Sequence, residues 1–143
     1  MTQVILKEDR WEKFDPQWVD RIEVILEDFS KLGSVKAMIV LDNYGKELTE
    51  TIYPNGKYDQ VLEYAKYEPI KQILELGFGE ELPLYLTEEK SDSIVLTGFA
   101  ADMILIVEYG KKAFSGAIGM RFEKRIRHMR NVYRNRTNRA TIV

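Results

Sequence analysis

Two apolar runs near the end of the chain, Ile94–Phe99 and Met103–Tyr109, are separated only by Ala100-Ala101-Asp102. So short a connection leaves room for a hairpin turn and nothing more, so the runs are expected to lie side by side and antiparallel. Beyond Gly110 the residues turn small, Ser115-Gly116-Ala117-Ile118-Gly119, and lead straight into a basic amphipathic stretch. Small residues between a hairpin and a helix let that helix lie close against the sheet. The layout predicts a domain of sheet plus helices built for interaction.

The 143 residues fit one domain, 1–143, with one core. Residues 1–14 read as an N-terminal arm, and residues 135–143 (NRTNRATIV) as a frayed basic tail that cannot pack. The absence of cysteine excludes disulfides, thiolate metal sites and thiol catalysis. A single histidine, His128, set among arginines, has no carboxylate or serine placed nearby in sequence to use it and is not read as catalytic, and with no cysteine it cannot make a three-ligand zinc site or a histidine pair. Gly77-Phe78-Gly79 and Gly116-Ala117-Ile118-Gly119 lack the spacing, and the lysine followed by serine or threonine, of a phosphate-binding loop. Asp42-Asn43-Tyr44-Gly45 is too short for a calcium loop and reads as a turn. The pairs Glu80-Glu81 and Glu88-Glu89 read as solvated turns. No catalytic residue, metal or cofactor is therefore expected, and the chain is read as non-enzymatic. The opening MTQVILKEDRWEKF lacks the basic-then-apolar order of a secretory signal. No apolar run approaches the roughly twenty residues that span a bilayer. The expected location is the cytoplasm.

The net charge of −2 hides a split. From Arg121 onward there are eight basic residues (Arg121, Lys124, Arg125, Arg127, Arg130, Arg134, Arg136, Arg139) and one acid, Glu123, which gives +7. The preceding 120 residues hold the other 13 basic and 22 acidic side chains, or −9. Such asymmetry suits a tail that meets an anionic surface, whether nucleic acid, lipid, a protein, or the acidic body of a second copy. Phe122, Ile126, Met129, Val132 and Tyr133 form the apolar side of this helix. Arg121, Lys124, Arg125, Arg127, Arg130 and Arg134 are the basic-face candidates. Arg127, Arg130 and Arg134 are expected to hold their charged heads in water.

Earlier in the chain, Phe14-Asp15-Pro16 signals a helix start: Asp15 caps, Pro16 suits the first position, and Phe14 can staple to Val19. Trp18, Ile22, Ile25, Phe29 and Leu32 make its apolar face, and Gly33 ends it. Val35–Leu41 reads as a buried strand, Asp42–Gly45 as a turn and Lys46–Ile52 as the returning strand. A helix over Tyr58–Leu76, interrupted by Pro69, follows the break at Pro54-Asn55-Gly56. Leu82–Thr87 reads as a third strand starting at an edge, because of Pro83, and Glu88–Asp92 as a charged turn. The predicted class is α/β of the α+β type, a five-stranded, mainly antiparallel sheet flanked by helices. Leu84, Tyr85 and Leu86 on the edge strand, with Leu62, Ile73 and Leu74 on the preceding helix, are the candidates for a dimer or partner interface.

This order of elements resembles the roadblock / dynein light chain superfamily of small, profilin-like domains. VKAMIVLDNYGKELTETI is similar to that family's opening strand, Asp-x-x-Gly turn and returning strand. The closing hairpin with SGAIGMRFEKRIRHMR is similar to its last two strands and the small-residue approach to its final helix. The resemblance runs from about Asp15 to Arg134; Pro69 and the longer basic tail depart from the usual pattern. It implies dimers in which the central helix packs on its mate and the third strand pairs edge to edge. It further implies scaffolds or regulators of Ras-like small GTPases, motor assemblies or signalling complexes. A related prokaryotic protein stimulates GTP hydrolysis by a switch GTPase governing polarity or motility. The reading is therefore a cytoplasmic, non-catalytic homodimer that binds a Ras-like small GTPase or a signalling or motor assembly. The rival reading is a nucleic-acid or anionic-surface binding module using the Arg-rich helix. A third is a small-molecule sensor of similar design.

Overall fold

The computed structural model describes residues 20, 23–28, 31, 35–42, 45–54, 85–90, 92–100 and 103–141, with residues 90 and 132–141 described by backbone alone. The two apolar runs become strands β3 (Ser93–Ala100) and β4 (Met103–Gly110), paired antiparallel with Ala100 opposite Met103. Ala100 therefore belongs to the strand, where the sequence reading placed it in the turn. With β1 (Val35–Asp42) and β2 (Tyr85–Lys90) the sheet runs in the order β1-β4-β3-β2, every neighbour antiparallel.

The first and last hairpins thus meet through β1 and β4. Every residue of β3, and all of β4 except Gly110, is buried. Alternate residues serve the two faces. Ile94, Leu96, Met103, Leu105, Val107 and Tyr109 join Met38 and Val40 under Phe122, Ile126 and Met129 of the C-terminal helix α1 (Gly116–Thr141). Val95, Phe99, Ile104 and Ile106 form a second cluster with Ala37, Ile39 and Leu41 on the opposite face. Burial on both faces is why these strands read as continuous apolar runs rather than alternating ones. Each such side chain contributes roughly 1.5–3 kcal/mol on leaving water. The helical residues 23–28 add Ile25 and Leu26 to the first cluster and leave Val24 exposed. Ile25 is on the face its periodicity predicts. Trp18, Ile22, Phe29 and Leu32 fall outside the described residues, as does the predicted helix 58–76.

The close approach of helix to sheet rests on Gly98 of β3 and not on the small residues before the helix, since a Cβ on Gly116 would meet nothing within 4 Å and one on Gly119 only ordinary contacts. A Cβ on Gly98 would lie 2.2 Å from Ile126 Cδ1 and 3.1 Å from Phe122 Cε1, so glycine is what lets the helix sit directly on β3. The helix backbone continues through Thr141.

Two expectations require correction. The described sheet has four strands, where the sequence reading has five. Among the described residues, the bridges between β1 and the segment after Gly45 are Leu41 with Glu47 and Met38 with Ile52. Three steps along β1 thus face five along the returning chain. Thr49 causes the mismatch: the amides of Leu48 and Thr49 both donate to the Val40 carbonyl, and the Val40 amide donates to the Thr49 hydroxyl at 3.2 Å. A side chain replaces a ladder carbonyl and the strand breaks there. The turn itself is as read: the Lys46 amide donates to Asp42 Oδ1 at 2.9 Å, and Gly45 takes φ 85°, where glycine is unstrained. The second correction concerns the charged turn. Glu88, Glu89 and Lys90 extend strand β2 and pair with Val95, Ile94 and Ser93. Charged residues are tolerated there because one side of an edge strand faces water.

Candidate functional site

The edge strand β2 is built from residues of opposite character. Tyr85 is half-buried and meets Phe122 edge-on at 5.5 Å, which ties the strand to α1. Leu86, also half-buried, packs against the second cluster. Thr87, Glu88 and Glu89 are exposed, and Glu89 pairs with Lys111 at 3.1 Å. Among the described strands, β2 hydrogen-bonds only to β3. Of the interface candidates, Tyr85 and Leu86 are therefore neighbours on one edge, with side chains on opposite faces. Leu62, Ile73, Leu74 and Leu84 lie outside the described residues.

The basic candidates divide more sharply. Phe122, Ile126 and Met129 point into the core, as their spacing predicts, and fix which side of α1 is outward. Arg121, Lys124 and Arg127 are exposed and Arg125 is half-buried. A cleft of about 590 Å³ runs along them, lined by Arg121, Lys124, Arg125, Arg127, His128 and Asn131. Arg127 also reaches back one turn to Glu123, 3.0 Å away. Arg130 behaves differently from the expectation that its head reaches water. It is half-buried, and its Nε donates to the Phe99 carbonyl at 2.6 Å, which makes it a strap between helix and sheet. The Arg134 side chain lies outside the description.

A third group escaped the sequence reading. Lys36 Nζ donates to Ser93 Oγ at 2.9 Å, and that hydroxyl donates to Glu108 Oε2 at 2.6 Å. The ammonium is 4.0 Å from the same carboxylate oxygen, and Glu108 is fully buried. A bulge supplies the geometry: Val35 faces Tyr109 and Ala37 faces Glu108, so Lys36 is an extra residue in β1. A lone glutamate in the run MILIVEY was the available signal. The arrangement neutralises and hydrogen-bonds a buried charge, which is how the interior tolerates one. Among the described residues, no group of three or more His, Cys, Asp or Glu side chains is placed to hold a metal, and no helix is long and apolar enough to cross a membrane.

Against known proteins, neither the family models nor the curated sequences yield a match. Solved structures do. MglB from Myxococcus xanthus superposes at a TM-score of 0.63 with 11% identity, covering 85% of this chain and 93% of that one. An MglB described in a tetrameric arrangement gives 0.60 at 11% identity, with 92% and 96% covered. The gliding protein MglB from Thermus thermophilus gives 0.58 at 12% identity, again with 92% and 96% covered.

The chain shares the fold of these MglB structures. The sequence resemblance implied this architecture, and the likeness reaches it over nearly the whole length at an identity too low for sequence matching alone.

Proposed function

We propose that the protein is a dimeric, non-catalytic scaffold or regulator that binds a Ras-like small GTPase. The observation that carries this reading is the near-full-length likeness to MglB from two organisms, one of them named as a gliding protein. The tetrameric arrangement described for another MglB supports self-association. The edge strand β2 supplies a surface on which a second copy can continue the sheet, with main-chain hydrogen bonds for affinity and Leu86 for apolar contact. Regulation of this kind needs no catalytic side chain from the domain. Phosphoryl transfer responds to the placement of the GTPase's own switch residues and to charge stabilisation.

The test is GTP turnover by a small GTPase from the same genome, chosen for a gene adjacent to this one, measured with and without the purified protein. Turnover should change, or the GTPase should be retained on the immobilised protein, while the protein alone hydrolyses nothing. A GTPase neither captured nor altered would remove the reading. Nucleotide hydrolysis by the protein alone, abolished by a point change in it, would replace it with an enzyme.

A further inference from the structure

We propose that the cleft along the outer face of α1 is a binding site for a compact, phosphate-dense small anion free in solution. This does not rest on the GTPase reading. The six described lining residues, Arg121, Lys124, Arg125, Arg127, His128 and Asn131, all offer hydrogen-bond donors, and none is a carboxylate. Arg121, Lys124 and Arg125 form no ion pair with any described residue, whereas Arg127 has Glu123. Positions 121, 124/125, 128 and 131 recur turn by turn, so the donors form a row about 15 Å long. Like charges four apart oppose helix formation, and nothing described within the fold offsets them at Arg121 and Arg125. An anion laid along the row would.

The lining selects the chemistry of that anion. A volume of about 590 Å³ is that of a small-molecule site, but such sites are usually mostly apolar, whereas each described side chain lining this one ends in a polar or charged group. Binding must then come from charge-assisted hydrogen bonds, for which three guanidinium forks are suited. Four cations in so small a space, only one of them, Arg127, paired with a described acid, call for a ligand of high charge density. A phosphate group brings up to about two charges and three acceptor oxygens, while a peptide carboxylate brings one charge and a residue of backbone. No Phe, Tyr or Trp side chain is among the described lining residues; a nucleobase finds only the His128 ring and the guanidinium planes to stack on, so the charge of the phosphates carries the recognition. A membrane surface would ask for a broad apolar face beside the cations. Met120 is the one exposed large apolar side chain described on this helix.

The experiment is titration calorimetry of the full chain with inorganic tripolyphosphate. Saturable binding is expected, weakening about tenfold or more between roughly 50 and 200 mM salt. The Arg121→Glu/Arg125→Glu pair should lose binding at least about tenfold, by turning two of the four positive charges negative. Arg121→Gln/Arg125→Gln should show an intermediate loss, and it covers the case in which charge reversal impairs folding. Adenosine triphosphate should bind no more tightly than tripolyphosphate. The proposal is overturned if millimolar tripolyphosphate does not bind, or binds both variants as well as the parent. Tighter binding to polyglutamate, duplex DNA, or phosphatidylcholine vesicles doped with a phosphoinositide would overturn it in favour of that partner.

Discussion

Tyr109 is fully buried, with its ring edge-on to Phe114 at 6.3 Å and its hydroxyl without a hydrogen-bond partner among the described residues. Burial pushes its pKa up to about 12, against a smaller opposing pull from Arg121. The unfolded phenol ionises near pH 10, so between about pH 10 and 12 the folded state holds more protons. The stabilising contribution is complete below about pH 10 and is lost as pH rises toward 12, about 3 kcal/mol in all. Tyr109→Phe should abolish this loss. In urea unfolding, the variant should gain on the parent steadily from pH 10 to 12, and a constant difference across that range would refute the assignment. Near neutral pH it should be no less stable, because an unsatisfied buried hydroxyl costs about 1–3 kcal/mol. Gly98 gives a second residue-scale prediction. Gly98→Ala forces a methyl group against Ile126, which is itself fully buried, and should cost about 1–3 kcal/mol. Ile126→Ala should cost about 2–5 kcal/mol alone, yet the double variant should be more stable than the sum of the two predicts. Strict additivity in thermal unfolding would show that the two sites do not touch.

At the scale of the element, the C-terminal helix is held by more than its apolar stripe. The Arg130 bond to the Phe99 carbonyl spans 31 positions in sequence and anchors the helix to β3. Arg127 pairs with Glu123 on its own helix. Arg130→Ala should therefore lower stability by about 1–2 kcal/mol, as for loss of a charged hydrogen bond at a half-buried site. Arg127→Ala should cost under about 0.5 kcal/mol, as an exposed pair one turn apart. Equal effects in denaturant melts would mean that Arg130 is only a surface charge. The helix and its buried face were legible from residue spacing, because periodicity reports which side avoids water. The role of Arg130 was not, because Arg127, Arg130 and Arg134 share the same local pattern and differ only in what lies opposite.

For the whole molecule, the proposed dimer pairs at β2, which among the described strands hydrogen-bonds only to β3. Glu88 and Glu89 guard it, while Leu86 leaves an apolar contact half-exposed. A dimer is the expected state at micromolar concentration, with a scattering mass twice the chain's 16.7 kDa. Because the contact is main-chain and apolar, that mass should survive moderate salt, unlike the ligand binding predicted on α1. A monomer mass throughout would remove the edge-pairing scheme and leave the fold intact.

The closing hairpin, the Asp42–Gly45 turn and the inward stripe Phe122, Ile126 and Met129 were determined by sequence alone, since each depends on neighbours within a few positions. Tertiary structure decided the rest. Lys36 and Ser93 stand 57 positions apart, and Ser93 and Glu108 stand 15 apart, so their meeting depends on register and on one extra residue in β1. The same holds for Thr49, whose hydroxyl interrupts a strand that alternation had predicted, and for Glu88–Lys90, whose charges read as a turn until an edge gave them water. Hydrophobic pattern specifies which atoms leave water. It does not specify which polar groups they carry inside or which partners satisfy them there, and one step of register changes every partner at once.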